Sequence, residues 1–132
     1  MIKLGERIQE ADWKTEKHVP VIVAPETVKP GERFVVDLSV GKEIAHPNTT
    51  EHHIRSIRLY FKPDSGKFAS EIGNFEFSAH AESAEGPNKG PALSEPTAHA
   101  VLKLTGSGTL LAVAYCNIHG LWESAQAIKV EA

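Results

Sequence analysis

The stretch His53-Ile-Arg-Ser-Ile-Arg-Leu-Tyr-Phe61 decides the fold of this 132-residue chain. Its apolar residues Ile57, Leu59 and Phe61 are spaced by two, as in a strand with one buried face. The stretch is rich in β-branched and aromatic side chains, which strands favour. The segment Lys62-Pro-Asp-Ser-Gly66 follows at once and has the composition of a turn. We therefore predict a half-buried strand that ends in a sharp turn.

The same kind of pattern recurs in further short apolar segments, which are separated by turns rich in proline and glycine. No segment predicts a long helix, and Gly106-Ser107-Gly108 is interpreted as a hairpin between two of the strands. The fold class that this pattern predicts is all-β: a seven-stranded antiparallel immunoglobulin-like β-sandwich. The disulfide signature of true immunoglobulin domains is absent, because Cys116 is the only cysteine. The other six predicted strands are residues 21–23, 33–40, 75–80, 98–104, 109–116 and 125–130.

Length and composition narrow the class of protein. A chain of 132 residues that is 41% hydrophobic and 23% charged is typical of one globular domain, so residues 1–132 are predicted to form a single domain. The net charge of −3 gives no reason to expect nucleic acid as a partner. No apolar run reaches the length of a membrane span. A single cysteine and the lack of an export signal predict a cytoplasmic protein.

Candidate metal ligands occur in three clusters of the sequence. Cys116 and His119 lie three positions apart, close enough for one turn to bring both to the same ion, although two ligands do not make a site. The segment 46–53 adds His46, His52 and a third histidine that is predicted to face the other way. Its Asn-x-x-Glu pattern resembles a capping box, which predicts one helical turn that points His46 and His52 toward a common point. The third cluster contributes His18.

The ligand types favour some metals over others. Structural zinc sites hold four ligands and favour more sulfur than this set offers. Blue copper uses two histidines and one cysteine with a weak axial ligand, usually methionine, but the only methionine here is Met1. Four imidazoles and one thiolate suit iron, with a sixth position open to a small molecule. A cupredoxin-type copper electron-transfer protein and a zinc-stabilised binding module remain as alternatives. His80 and His99 lie in predicted strands and are interpreted as ordinary strand residues.

Three segments carry a resemblance to a known family: Glu-Lys-His-Val-Pro at 16–20, Gly-Lys-Glu-Ile-Ala-His-Pro-Asn-Thr-Thr-Glu-His-His-Ile at 41–54, and Tyr-Cys-Asn-Ile-His-Gly-Leu-Trp-Glu at 115–123. Together they resemble the superoxide reductases of the one-iron class, the neelaredoxin family. The match continues between the segments and covers nearly the whole chain. One departure is Ala45, where relatives usually carry proline.

The resemblance implies a mononuclear iron with four equatorial imidazoles and an axial thiolate. It also implies that Glu16 occupies the sixth position in the oxidised enzyme and that Lys17 is the cation beside the open site. The implied reaction is the one-electron reduction of superoxide, with two protons, to hydrogen peroxide. The family typically takes the electron from rubredoxin or a similar donor, and its members commonly form homotetramers. The implied iron ligands are His18, His46, His52, His119 and Cys116.

Overall fold

The structure, a computed structural model, describes all 132 residues and consists of two packed β-sheets. One sheet has three strands in the order β1-β3-β6, and the other has five in the order β2-β8-β7-β4-β5. The only helical element is a 3₁₀ turn at Leu4–Arg7, and no helix has the length and apolar character that crossing a membrane requires. The strands are β1 (Pro20–Val23), β2 (Thr27–Val28), β3 (Arg33–Val40), β4 (Ile54–Pro63), β5 (Ser70–Glu76), β6 (Thr97–Lys103), β7 (Gly108–Cys116) and β8 (Gly120–Val130).

The predicted all-β sandwich is confirmed, with one more strand than the seven expected. The extra strand, β2, has only two residues and pairs with β8 in parallel, whereas every other strand pair is antiparallel. Two residues are too few to show alternation, so the sequence pattern gave no sign of it.

Alternating burial builds the core between the two sheets. In β7 every second residue, from Gly108 to Cys116, is buried, and β3 and β6 show the same period of two. The inward residues of both sheets, including Leu38, Ile57 and Leu110, form one cluster of 19 buried side chains. Cys116 belongs to this cluster and is fully shielded from solvent. The core therefore reaches to the base of the candidate site.

The hairpin predicted at residues 106–108 is wrong. β6 pairs with β3, whereas β7 pairs with β4 and β8, so this segment crosses from one sheet to the other. Gly108 is required there, because a Cβ atom would lie 2.4 Å from the carbonyl oxygen of Lys62. The tight hairpin of the larger sheet is instead the β7–β8 connection, where Gly120 has a φ of +81°.

The strand predicted at 75–80 is also displaced, because β5 occupies Ser70–Glu76 and His80 lies outside it. Phe77 is buried, and its backbone N–H still bonds to the carbonyl of Arg55 in β4, which explains the misleading alternation. Beyond it the chain turns away from the sheet and Ala81 adopts a φ of +59°.

Strand register places the three ligand clusters at one end of the sandwich. Pro20 at the start of β1 pairs with Val40 at the end of β3, so the residues before β1 and after β3 emerge together. Ile54 at the start of β4 pairs with Cys116 at the end of β7, which in turn pairs with Gly120. The loops that carry the candidate ligands are therefore neighbours because rigid strands hold their ends.

Candidate metal centre

Side chains from all three sequence clusters converge at this end of the sandwich. Nitrogen atoms of His18, His52 and His119 and the sulfur of Cys116 all lie within 4.8 Å of one another. His46 is outside that set, but its ring centroid is 4.9 Å from that of His18 and 4.8 Å from that of His52. The five predicted ligands thus form one compact group.

The four imidazole rings are arranged as a near-square. Neighbouring centroids around it are separated by 4.9 Å (His18–His46), 4.8 Å (His46–His52), 5.0 Å (His52–His119) and 4.9 Å (His119–His18). The His18–His52 diagonal is longer, at 6.4 Å. Such an arrangement suits four nitrogen donors that surround a single ion.

Hydrogen bonds at the outer nitrogens decide which nitrogen of each ring faces inward. Nδ1 of His18 contacts Oε1 of Glu16 at 2.5 Å, and Nδ1 of His46 donates to the carbonyl of Pro47 at 2.6 Å. Their Nε2 atoms are therefore the ones that face the cluster. His119 differs, because its Nδ1 is the atom that faces Nε2 of His18, at 3.2 Å, and Sγ of Cys116, at 3.9 Å. The inward nitrogen is thus Nε2 in His18 and His46 and Nδ1 in His119.

Two of these nitrogen atoms are buried without any hydrogen-bond partner: Nε2 of His46 and Nε2 of His52. A buried polar atom without a partner costs about 1–3 kcal/mol, so such atoms in a folded protein need an explanation. A metal ion held by the inward nitrogens would satisfy both. The donor set of four imidazoles and one thiolate therefore fits a bound transition metal such as iron.

Cys116 places its sulfur at the inner side of the cluster. The side chain is fully buried as the last inward residue of β7, and the backbone N–H of His119 donates to Sγ at 3.3 Å. His119 itself is exposed to solvent. The sulfur is thus shielded by the core, and His119 is the only one of the four imidazoles that is exposed.

Burial favours the neutral form of two of the imidazoles, His46 and His52, and the neutral form is the state that binds a metal. Burial lowers the pKa of His46 to about 4, with the bond to Pro47 opposing the shift and the charges of His18, His52 and Lys17 adding to it. Burial also lowers the pKa of His52, helped by His119, His18 and Lys17. The Lys17 ammonium is thus close enough to act electrostatically on the cluster.

Glu16 holds the outer edge of His18. Its Oε1 accepts a bond from the backbone N–H of His18 at 2.8 Å as well as contacting Nδ1 of that ring. Burial by itself would raise the pKa of the Glu16 carboxyl, but the bonds from His18 outweigh it and the pKa is lowered. The indole of Trp122 stacks on one face of the His18 ring, with 4.8 Å between the ring centroids and an interplanar angle of 13°. The indole of Trp122 therefore packs against the site and shields the His18 ring.

The predicted helical turn in the 46–52 loop is wrong. Asn48 donates to the carbonyl of Ser94 and accepts from Nδ1 of His80, so it does not cap a helix. The loop is closed instead by Thr49, whose backbone N–H bonds to the carbonyl of His52 and whose hydroxyl accepts from the His52 N–H. His46 and His52 still converge, through side-chain bonds that the short-range pattern does not reveal.

The remaining histidines lie outside the cluster, as expected. His53 stacks flat on His80 with centroids 3.4 Å apart, and both rings are buried. Both nitrogens of His80 have hydrogen-bond partners, Asn48 and the carbonyl of Phe77. His99 is exposed on β6 beside Asp37.

Asn117 is a functional residue that sequence reasoning missed. Its Oδ1 accepts from the backbone N–H of His53 at 2.9 Å, and its Nδ2 donates to the carbonyl of Glu51 at 2.9 Å. One side chain of the cysteine turn thereby ties that turn to both sides of His52. The only available signal was its place between Cys116 and His119, because asparagine is common in turns.

Comparison with known proteins gives close matches over the whole chain. The pattern of the desulfoferrodoxin family matches residues 10–125. The neelaredoxin of Megalodesulfovibrio gigas is 54% identical over 130 residues, which cover 98% of this chain and 100% of that one. The superoxide reductase of Pyrococcus furiosus is 54% identical over 121 residues, 92% of this chain and 95% of that one. The crystal structure of a Thermotoga maritima protein superposes with a TM-score of 0.98 at 55% identity, and covers all of both chains.

Proposed function

Because this chain belongs to the desulfoferrodoxin family and is a superoxide reductase, we propose that its five clustered donor atoms hold one mononuclear iron. We also propose that residues 1–132 form a single iron-binding domain. The histidines would bind the iron through the nitrogens that face inward, and Cys116 would bind it as a thiolate. The observation that carries this assignment is the pair of buried nitrogens, Nε2 of His46 and Nε2 of His52, which have no other partner. The proposed ligands are His18, His46, His52, His119 and Cys116.

The bound iron would supply the single electron that converts superoxide, with two protons, to hydrogen peroxide. The residues set the conditions for this step. The buried thiolate of Cys116 would donate electron density to the iron, which favours electron transfer to superoxide. The N–H of His119, which bonds to Sγ of Cys116, moderates that donation. This arrangement favours reduction of superoxide over its dismutation.

Lys17 and Glu16 supply charge at the entrance. The substrate is a small anion, and the Lys17 ammonium acts on His46 and His52, so it attracts superoxide toward the same point. Glu16 bonds to His18 in this structure and is proposed as the group that takes the sixth position after oxidation. Its place two residues before His18 gives it the short reach that this movement requires.

The electron must come from outside the chain, and rubredoxin or a similar small one-electron carrier is the proposed donor. A cytoplasmic site of action is proposed as well, since a reducing compartment keeps the single thiol of Cys116 free. A homotetramer is proposed for the assembly. Exposed apolar residues at the N-terminus, Met1, Ile2 and Leu4, support contacts between copies.

An electron paramagnetic resonance spectrum of the oxidised protein tests the assignment. A high-spin ferric signal that changes on addition of azide is expected, because an exogenous anion can displace Glu16 from the iron. A cupric signal would establish the copper electron-transfer alternative instead. A silent spectrum with one zinc per chain would reduce the cluster to structural support.

A further inference from the structure

The loop between β3 and β4, residues 41–53, carries two of the proposed ligands without any strand or helix of its own. These ligands are His46 and His52. Cys116, by contrast, ends β7, and His18 lies two residues before β1. A loop that lacks secondary structure keeps its shape through contacts with other parts of the chain. The position of two imidazoles therefore depends on the segment that supports this loop.

Residues 79–94, here called the strap, lie against the loop. The strap folds back on itself, with the backbone N–H of Ser94 bonded to the carbonyl of Ala79 at 2.7 Å. Gly90 permits the tight return, because a Cβ atom there would lie 2.2 Å from the carbonyl oxygen of Glu82. The strap therefore has a fixed shape of its own on which the loop can rest.

Thr50 is the main point of attachment between the loop and the strap. Its hydroxyl donates to the carbonyl of His80 at 2.6 Å and accepts from the backbone N–H of Asn88 at 3.0 Å. The backbone N–H of Thr50 donates to Oδ1 of Asn88 at 2.8 Å. Asn88 has a φ of +64°, which asparagine adopts more readily than most residues, and its backbone and side chain both reach Thr50. Three hydrogen bonds thus join the strap to one loop residue.

The strap also contacts the loop on both sides of Thr50. Nδ2 of Asn48 donates to the carbonyl of Ser94 at 3.0 Å, and Nδ2 of Asn88 donates to the carboxylate of Glu51 at 2.9 Å. None of these hydrogen bonds goes to a proposed ligand. The strap therefore acts on the two imidazoles only through the loop that carries them.

We propose that the strap controls how firmly the chain holds its metal ion, and that the ion is released when the strap detaches from the loop at Thr50. The identity of the ion and of its ligands rests on the proposed function. His46 and His52 can move away together when the loop opens, whereas Cys116 belongs to the packed core. Regions with few buried contacts open most readily, so the loop is the least costly route of release. Thr50 and Asn88 are positioning residues.

Transfer of ferrous iron from the loaded protein to an excess of ferrozine measures the rate of release. Thr50→Val removes the hydroxyl with little change of shape, and Asn88→Gly removes the side chain at a φ that glycine tolerates. Each variant should release iron about tenfold faster than the parent, because it loses hydrogen bonds to the strap. Thr50→Ser keeps the hydroxyl and should stay within about twofold of the parent.

Hydrogen exchange of the full chain, with and without iron, measures the opening of the loop itself. The backbone N–H of Thr49 bonds to the carbonyl of His52, and the N–H of His52 bonds to Oγ1 of Thr49. Thr50→Val and Asn88→Gly should raise the exchange rate of these two amides about tenfold. Thr50→Ser should leave both rates close to those of the parent, because the contact with the strap persists.

Ser107→Ala is the matched control. It also removes a hydroxyl that joins two segments, since Oγ of Ser107 accepts the backbone N–H of Val130 at 2.8 Å. Ser107 precedes β7, whereas Cys116 ends that strand, so the control lies at the opposite end of the sandwich. The substitution should lower the free energy of unfolding but leave iron release and both amides unchanged. An equal acceleration in Ser107→Ala would indicate a general loss of stability and contradict the proposal.

The two measurements together decide the proposal. Unchanged release in both Thr50→Val and Asn88→Gly would overturn it. Faster amide exchange with unchanged release would show that the loop opens without letting the ion go, and this also overturns it. If the unmodified protein binds no iron, the proposed function fails, while amide exchange still decides whether the strap holds the loop.

Discussion

The backbone N–H of His119 points at Sγ of Cys116, with 3.3 Å between the nitrogen and the sulfur. The same turn thus carries two candidate ligands and a donor that tunes one of them. An N–H bond to a thiolate stabilises its negative charge and weakens its donation to a metal. The turn can hold this geometry because Cys116 and Gly120 are paired residues at the end of a tight hairpin.

Replacement of the sulfur tests the proposed role of Cys116 as an iron ligand. Cys116→Ser is nearly isosteric in a fully buried position, so the fold should persist while the thiolate donation is lost. We expect superoxide reduction to be abolished and the sulfur-to-iron absorption band of the oxidised protein to disappear. Circular dichroism checks the fold of the variant. Unchanged turnover would remove the thiolate-ligand assignment.

Glu16 supports His18 in the structure, and closure of the oxidised site is the second role that we propose for it. Glu16→Gln keeps an oxygen that can accept both bonds from His18 but removes the charge. We expect metal affinity within a few-fold of the parent, a nearly unchanged first encounter with superoxide, and faster azide binding to the oxidised protein. Glu16→Ala should in addition lower metal affinity about tenfold, because His18 loses its orienting partner. Identical azide kinetics in all three proteins would contradict a closing role.

Lys17 should accelerate the encounter with superoxide by its charge alone. Lys17→Ala is expected to slow the reaction about threefold or more at low salt and to flatten its dependence on ionic strength. Lys17→Arg preserves the charge and should keep most of the rate. Lys103→Ala, in the exposed part of β6, serves as the remote control. A rate and a salt dependence that match the parent would make Lys17 an ordinary solvated charge.

The sequence predicted the fold and the converging ligand clusters more fully than it predicted the hydrogen bonds that hold the ligand loops in place. Strands such as β4 were visible because one face is buried, which imposes a period of two, whereas β2 has two residues and no period. The direction of the 106–108 connection was missed because pairing partners are set by the packing of two sheets, not by the turn itself. No local pattern shows which ring nitrogen of His119 faces the cluster, because that depends on His18, which is distant in sequence. The same holds for the hydrogen bonds of Asn117, whose partner His53 is also distant.

Substitution of Asn117 tests whether its hydrogen bonds hold the loop around His52 in place. Asn117→Ala removes the bond from the His53 N–H and the bond to the Glu51 carbonyl. We expect a loss of about 1–3 kcal/mol in the free energy of unfolding, from two hydrogen bonds. Metal affinity should fall about tenfold, since His52 lies between the two contacts. Urea unfolding and competition with a chelator measure these quantities. Asn74→Ala, at an exposed position of β5, is the control. Equal effects of the two substitutions would contradict a specific role for the hydrogen bonds of Asn117.

The stability of the metal-free protein should depend on pH through His46. Burial lowers the pKa of this imidazole from 6.5 to about 4 in the folded chain. Between those values the unfolded chain binds more protons, so the free energy of unfolding should fall as the pH falls from 6.5 toward 4, by up to about 1.4 kcal/mol per pH unit from this residue. Above pH 6.5 the contribution of His46 is fully present and constant.

His46→Asn removes the titrating group and should flatten the slope in that window, measured by urea unfolding of the metal-free protein between about pH 7 and about pH 4.5. His99→Asn is the matched control, because His99 is exposed on β6 and lies outside the cluster. A slope that is the same in His46→Asn as in the parent would show that burial of His46 does not govern the acid sensitivity. The slope should also be suppressed by metal, because a bound ion replaces the proton at the neutral imidazole and stabilises only the folded chain.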